Sequence, residues 1–265
     1  MDEDREGPRL PPELEKEIFT LSFSESLHQK INPGNLFLVS KRVFDWLMPL
    51  YWDVVMAHTA ADGWPPTFSE QTLQLYGHHV HHFHTWESSF VKLLTLCPNI
   101  SDLAIWTSIS EQDVDYIIKL PITRLSIFID DIRWGNADLH EFCSKVTHLD
   151  ISNRMDWATN KIIPHFPALT HLATFSAWVA GENIQSWFMH GSPLEAVILI
   201  SSGSGDGLHL REAEDDDLDP RVVRVGFGRT YKVDWVEGAH GRMDMWEFAD
   251  EVIKNRRLSS VHEAA

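Results

Sequence analysis

The chain has 265 residues, 43% of them apolar, and a formal net charge of −17. That length and apolar content suit one large domain or two smaller ones with a real core, and they exclude wholesale disorder. So acidic a chain is repelled by nucleic-acid phosphate and by anionic membrane, and neither is expected as a partner.

Residues 1–8 form an acidic tail without the basic-then-apolar run of a signal peptide. The longest stretch free of Asp, Glu, Lys and Arg, residues 162–181, contains Pro164 and Pro167 and does not read as a membrane span. Two cysteines, Cys97 and Cys143, make no disulfide framework, so a cytoplasmic or nuclear protein is expected.

Residues 9–57 read as a helical module. Pro11 and Pro12 suit a helix start, and Leu14, Ile18 and Leu21 follow as an i, i+4, i+7 stripe. After the turn at 32–34, Leu36, Val39, Val43 and Trp46 make a second stripe. Pro49 is expected to break that helix, with Leu50 and Val54 continuing a third. Residues 58–72 read as a linker.

Residues 73–258 carry a repeat. Segments centred on Phe83, Leu103, Leu125, Leu149, Leu172, Val197 and Val225 each read apolar-x-x-apolar-x-apolar, with threonine at Thr85 and Thr174, at spacings of 20 to 28 residues. That period predicts parallel strands joined by helical crossovers. Helical stretches are expected at 87–96, 111–120, 137–146, 157–166 and 182–189, with Ser110 and Asp156 as caps. A last helix, about 243–257, is expected to close the open end of the stack, and residues 259–265 form a tail. The pattern resembles leucine-rich repeats.

The N-terminal residues carry a second resemblance. Leu10-Pro11-Pro12-Glu13-Leu14, then Ile18-Phe19, then Leu38-Val39-Ser40-Lys41-Arg42 with Phe44 and Trp46, resemble the F-box over about 48 residues, in its divergent fungal type. The fold class implied is α/β: a three-helix F-box followed by an irregular leucine-rich-repeat-like β/α solenoid with a parallel sheet. The function implied is that of a substrate-recognition adaptor. Its F-box docks on the Skp adaptor of a cullin-RING ubiquitin ligase, and its repeats bind a protein substrate. Such a protein is no enzyme and needs no cofactor. The alternative is a repeat-based interaction scaffold without ligase coupling. The resemblance implies adaptor contacts at Leu10, Pro11, Leu14, Ile18, Leu36 and Val39, residues that serve equally well to hold three helices together.

For the substrate, the outward position after each strand is informative. It holds Trp86, Trp106, Phe128 and Phe175, beside a column containing His82, His148 and His171. Left exposed, Trp86, Trp106, Phe128, His148, His171 and Phe175 make a protein-binding ridge; covered by the C-terminal helix or a loop, they make a core. The histidines of GHHVHHFHTW at 77–86 belong to the first strand of this array. With only His148, His171 and Asp150 converging, a polar strand face is expected rather than a zinc site. The Gly-rich stretch 202–207 and the acidic run 212–219 read as turns and solvated loop.

Overall fold

In the computed structural model, the residues described are 10–29, 33–57, 69–128, 137–151, 162–175, 184–185, 187–188, 193–201, 210–212, 219–227 and 231–263. The chain forms two compact units, Met1–Asp53 and Val54–Ala265.

The first unit holds α1 (Pro12–His28), the single turn α2 (Gly34–Phe37) and α3 (Lys41–Trp52). Proline at the start of α1 needs no N–H donor there, and Glu13 and Glu15 in its first turn complement the helix dipole. Ser40 is extended and its Oγ accepts from Val43 N at 3.2 Å, so a new helix begins after it. The second stripe is therefore divided: Leu36 lies on α2, and Val43 and Trp46 lie on α3. Pro49 is carried inside α3 rather than ending it. Val54, expected to continue a third helix, is instead the first residue of a strand.

The core of this unit is Phe23, Val43 and Leu47, with Phe19, Leu27, Leu36, Phe37, Trp46 and Tyr51 packed around it. Phe37 meets Phe23 and Tyr51 edge-to-face at centroid distances of 6.0 and 5.2 Å, the geometry that ring quadrupoles favour. Thus α1 turns Phe19, Phe23 and Leu27, an i, i+4, i+8 stripe, toward the core, with Phe23 fully buried. The stripe expected from the sequence, Leu14, Ile18 and Leu21, faces outward.

The second unit is built on one sheet of order β1-β2-β3-β4-β5-β6-β7-β9-β8. Its strands are β1 (Val54–Ala57), β2 (His82–Thr85), β3 (Asp102–Ile105), β4 (Arg124–Ile127), β5 (His148–Ile151), β6 (His171–Phe175), β7 (Ala196–Ser201), β8 (Leu210–Glu212) and β9 (Val222–Phe227). Eight run parallel, and β8 joins β9 antiparallel. The chain is thus α/β, with strands laid down nearly in sequence order. One buried row is Val55, Phe83, Leu103, Leu125, Leu149, Leu172 and Val197 in register. Of the two threonines in the next row, Thr85 donates from Oγ1 to Ala57 O at 2.9 Å. Cys97 and Cys143 are free and buried, and burial pushes both thiols up to about 12.

Between the strands lie α4 (Glu70–Tyr76), a 3₁₀ segment Ser88–Leu96, α5 (Glu111–Ile117), α6 (Ala137–Cys143) and a 3₁₀ turn Ile163–His165. Ser69 and Ser110 close capping boxes with Thr72 and Asp113. Glu70, expected in the linker, already belongs to α4. Asp156, the helix start expected at 157–161 and half of 182–189 lie outside the described residues, as do 58–68.

Three expectations need correction. β1 adds a strand ahead of the repeat. β9 is shifted: Val197 pairs with Val222, not Val225, and a three-residue slip turns Val225 to the opposite face. The final helices, α7 (Tyr231–Ala239) and α8 (Met245–Glu263), do not close the end of the stack. α8 instead lays Met245, Trp246, Ala249, Val252 and Ile253 on Ala173, Ala196, Ile198, Ile200, Val223 and Val225.

Candidate docking surfaces

Each unit presents residues singled out in the sequence, and the two sets differ sharply in exposure. In the first unit Leu10, Pro11, Leu14, Ile18 and Val39 are exposed, Leu14 at 48% and Ile18 at 49%. Leu21 and Leu38, outside the expected contacts, are more exposed still. Leu36 is half-buried and packs into the unit's core. An ion pair between Arg42 and Glu15 ties the start of α3 to the first turns of α1, and the Arg42 guanidinium lies 5.0 Å from the Trp46 ring centroid. Apolar side chains on both sides of one helix are unusual, because water exposure of the second face gains nothing for the isolated fold. Burying the remaining half of a Leu or Ile against a partner gains about 1 kcal/mol per residue. The exposed set can therefore supply several kcal/mol to a complex.

The expected substrate ridge in the second unit is a covered face. Trp86 retains 36% exposure, with Lys232 Nζ 4.9 Å from its ring centroid. Trp106 is half-buried, packs on Tyr231 at 4.7 Å, and donates from Nε1 to Ser126 Oγ at 2.7 Å. Phe175 packs on Tyr231 at 6.2 Å, and Phe128 is half-buried. His84 is fully buried among Trp86, Trp106 and Trp235, at 4.8, 4.3 and 5.3 Å. The covering alternative therefore holds, with α7 and α8 as the cover.

His148 and His171 stack at 4.3 Å with planes 7° apart, and Trp246 meets both edge-on. Thr147 Oγ1 and Thr170 Oγ1 lie 2.9 and 2.8 Å from their respective Nδ1 atoms, and His171 Nε2 lies 3.1 Å from Asp250 Oδ1. Burial, then the neighbouring His171, then Arg124, holds His148 down to about 3. Two stacked rings engaged in this way do not converge on a common point. Asp150, the expected third group, instead accepts from Ser126 and Tyr231 hydroxyls. Among the described residues no group of three or more His, Cys, Asp or Glu is arranged to hold a metal.

Polar contacts between sheet and cover were not legible in the sequence. Trp235 Nε1 donates to Asp102 Oδ1 at 3.2 Å, and His82 Nδ1 lies 3.3 Å from Asp102 Oδ2. Arg124 Nη1 donates to Asp244 Oδ2 at 3.2 Å. Asp244 also accepts from Trp246 N and Glu247 N at 2.9 Å, capping α8. Burial nonetheless raises the Asp244 carboxyl above its ordinary range. A small cleft remains between the layers, lined in part by Asp102, Arg124, Ser126, Asp150, Tyr231 and Trp235. The sequence signal that goes with them, passed over above, is the i, i+4 pair Tyr231 and Trp235, followed by Trp246 in the next helix.

Residues 202–207 lie outside the described residues. Of the acidic run, Glu212 lies in β8, and Asp219 binds Arg221 at 2.8 Å. No described helix is long and apolar enough to cross a membrane. Compared with known proteins, the chain matches no family model and no curated sequence.

Proposed function

We propose that the first unit is an F-box that docks on a Skp adaptor, and that the second is a leucine-rich-repeat-like receptor for a protein substrate of a cullin-RING ubiquitin ligase. The observation that carries this reading is the second apolar face of α1. Leu14 and Ile18 stand about half exposed on a helix that already buries Phe23 and packs Phe19 and Leu27 against the core. Leu10, Pro11 and Val39 extend the exposed set, and Leu36 supports it from the core. The sequential parallel strands support the repeat reading. The chain would perform no chemistry itself; bringing a client near the ligase raises its effective concentration.

Co-expression with a Skp adaptor tests the reading. The wild-type chain is expected to co-purify with the adaptor, and Leu14→Asp is expected to lose it while remaining folded. Because Leu14 lies outside the core, the charge costs little in the free chain. In a dry interface it costs several kcal/mol. Failure of the wild-type chain to capture the adaptor would overturn ligase coupling and leave the scaffold reading.

A further inference from the structure

α8 runs on past the core that it covers. Its last residue in the apolar cluster with β6, β7 and β9 is Ile253. Beyond it Lys254, Asn255, Arg257, Leu258 and Ser259 are exposed, and Arg256 is half-buried. Arg256 ties this stretch to the sheet: its Nη1 donates to Pro220 O at 3.0 Å and to Val222 O at 2.7 Å, at the start of β9. Ser259 Oγ donates to Asn255 O of its own helix at 3.1 Å. A helix end that buries so little opens locally at small cost, without unfolding the rest.

The residues here are Lys254-Asn255-Arg256-Arg257-Leu258-Ser259-Ser260. In a chain of net charge −17 they contain the one pair of adjacent arginines. Ser259 and Ser260 are the only serines or threonines of the chain that stand three residues after an arginine. Ser259 alone has arginine both three and two residues before it.

We propose that Ser259 is a phosphorylation site for an arginine-directed serine/threonine kinase. Such a kinase holds its substrate extended and pairs carboxylates of its groove with guanidinium groups upstream of the hydroxyl, a match that the fixed fork of arginine makes specific. Opened to an extended chain, residues 256–259 set the two guanidinium-bearing residues about 10 Å and about 7 Å ahead of Ser259. The reaction is phosphoryl transfer from Mg-ATP. Ser259 Oγ attacks the γ-phosphorus, and the new O–P bond replaces the bond to the β,γ-bridging oxygen. ADP departs, and the hydroxyl proton passes to the catalytic aspartate of the kinase. The inference concerns the second unit alone and stands whether or not the first docks an adaptor.

The test incubates the folded full chain with Mg-ATP and the catalytic subunit of cyclic-AMP-dependent protein kinase. A parallel sample receives casein kinase, which reads acidic residues instead. Mass spectrometry of the intact chain and of its fragments counts the phosphates and places them. Wild type is expected to gain a phosphate on Ser259 from the arginine-directed kinase and none there from the acid-directed one. Ser259→Ala, a change at an exposed position, is expected to lose that phosphate. Arg257→Gln is expected to slow its incorporation at least tenfold. A synthetic peptide of residues 252–265 gives the rate with no folded helix to open. The native chain is expected to react within about a hundredfold of the peptide, because only the helix end has to open. A slower native rate would show the site closed in the folded chain and overturn the proposal. Phosphate on Ser260 in place of Ser259, modification of Ser259 by the acid-directed kinase alone, or an unchanged rate in Arg257→Gln would overturn it as well.

Discussion

Acidification from pH 6.5 to 5.5 is expected to destabilise the second unit through His148. Its ring stacks on His171 and meets Trp246 edge-on, and its pKa lies at about 3 against an ordinary 6.5. Above pH 6.5 the residue is neutral in both folded and unfolded chains. As the pH falls the unfolded chain takes up a proton that the folded chain refuses, so stability is lost progressively from 6.5 down toward about 3. Between pH 6.5 and 5.5 this one site costs about 1 kcal/mol, and nearly 1.4 kcal/mol for each further unit until the folded value is approached. His79, also held low by burial and by His78 and His81, acts in the same direction. Asp244 is raised and acts oppositely, since its folded carboxyl takes up a proton more readily than its unfolded one. The clean comparison is therefore a difference between variants. His148→Phe keeps an aromatic ring in the stack and removes the titration. Urea unfolding followed by tryptophan fluorescence at the two pH values is expected to show wild type losing about 1 kcal/mol more than the variant. Equal losses, or an NMR titration of His148 with a midpoint near 6.5, would refute the reasoning.

Leu47→Ala removes buried volume beside Phe23 and Val43 at a cost of about 2–5 kcal/mol, comparable to the whole stability of so small a unit. Hydrogen exchange should show lost protection confined to α1 and α3. Gly77→Ala places a methyl 2.2 Å from Leu96 O, a backbone atom that cannot swing aside, and should cost about 1–3 kcal/mol in a thermal melt. Both cysteines, buried and with thiols near 12, should resist iodoacetamide at pH 8 until denaturant is added.

The strands were legible because a parallel sheet with one dry face needs the same two apolar positions in every copy, and Phe83 through Val197 supply them in register. β9 misled because Val222, Val223 and Val225 are all apolar, so hydrophobicity alone fits two registers that differ in face. β1 was missed because Val54-Val55-Met56 follows α3 directly and reads as more helix. In α1, apolar residues at 14, 18 and 21 and at 19, 23 and 27 make two stripes, and the sequence does not say which is core. The cover over the aromatic row was not legible for a different reason. Trp106 and Phe175 have the composition of a hot spot, but their occupant is Tyr231 from the same chain, and sequence spacing carries no record of that return.

The assignment of α1 as an adaptor-docking helix is tested most directly by isothermal titration of a purified Skp adaptor into the full chain. Wild type is predicted to bind one adaptor per chain with a negative heat-capacity change, the mark of apolar burial. Ile18→Asp, altered at a half-exposed position, is predicted to give no binding heat while its melting temperature stays at the wild-type value. Equal affinity in the variant would contradict the role of this face, and no heat from wild type would contradict ligase coupling.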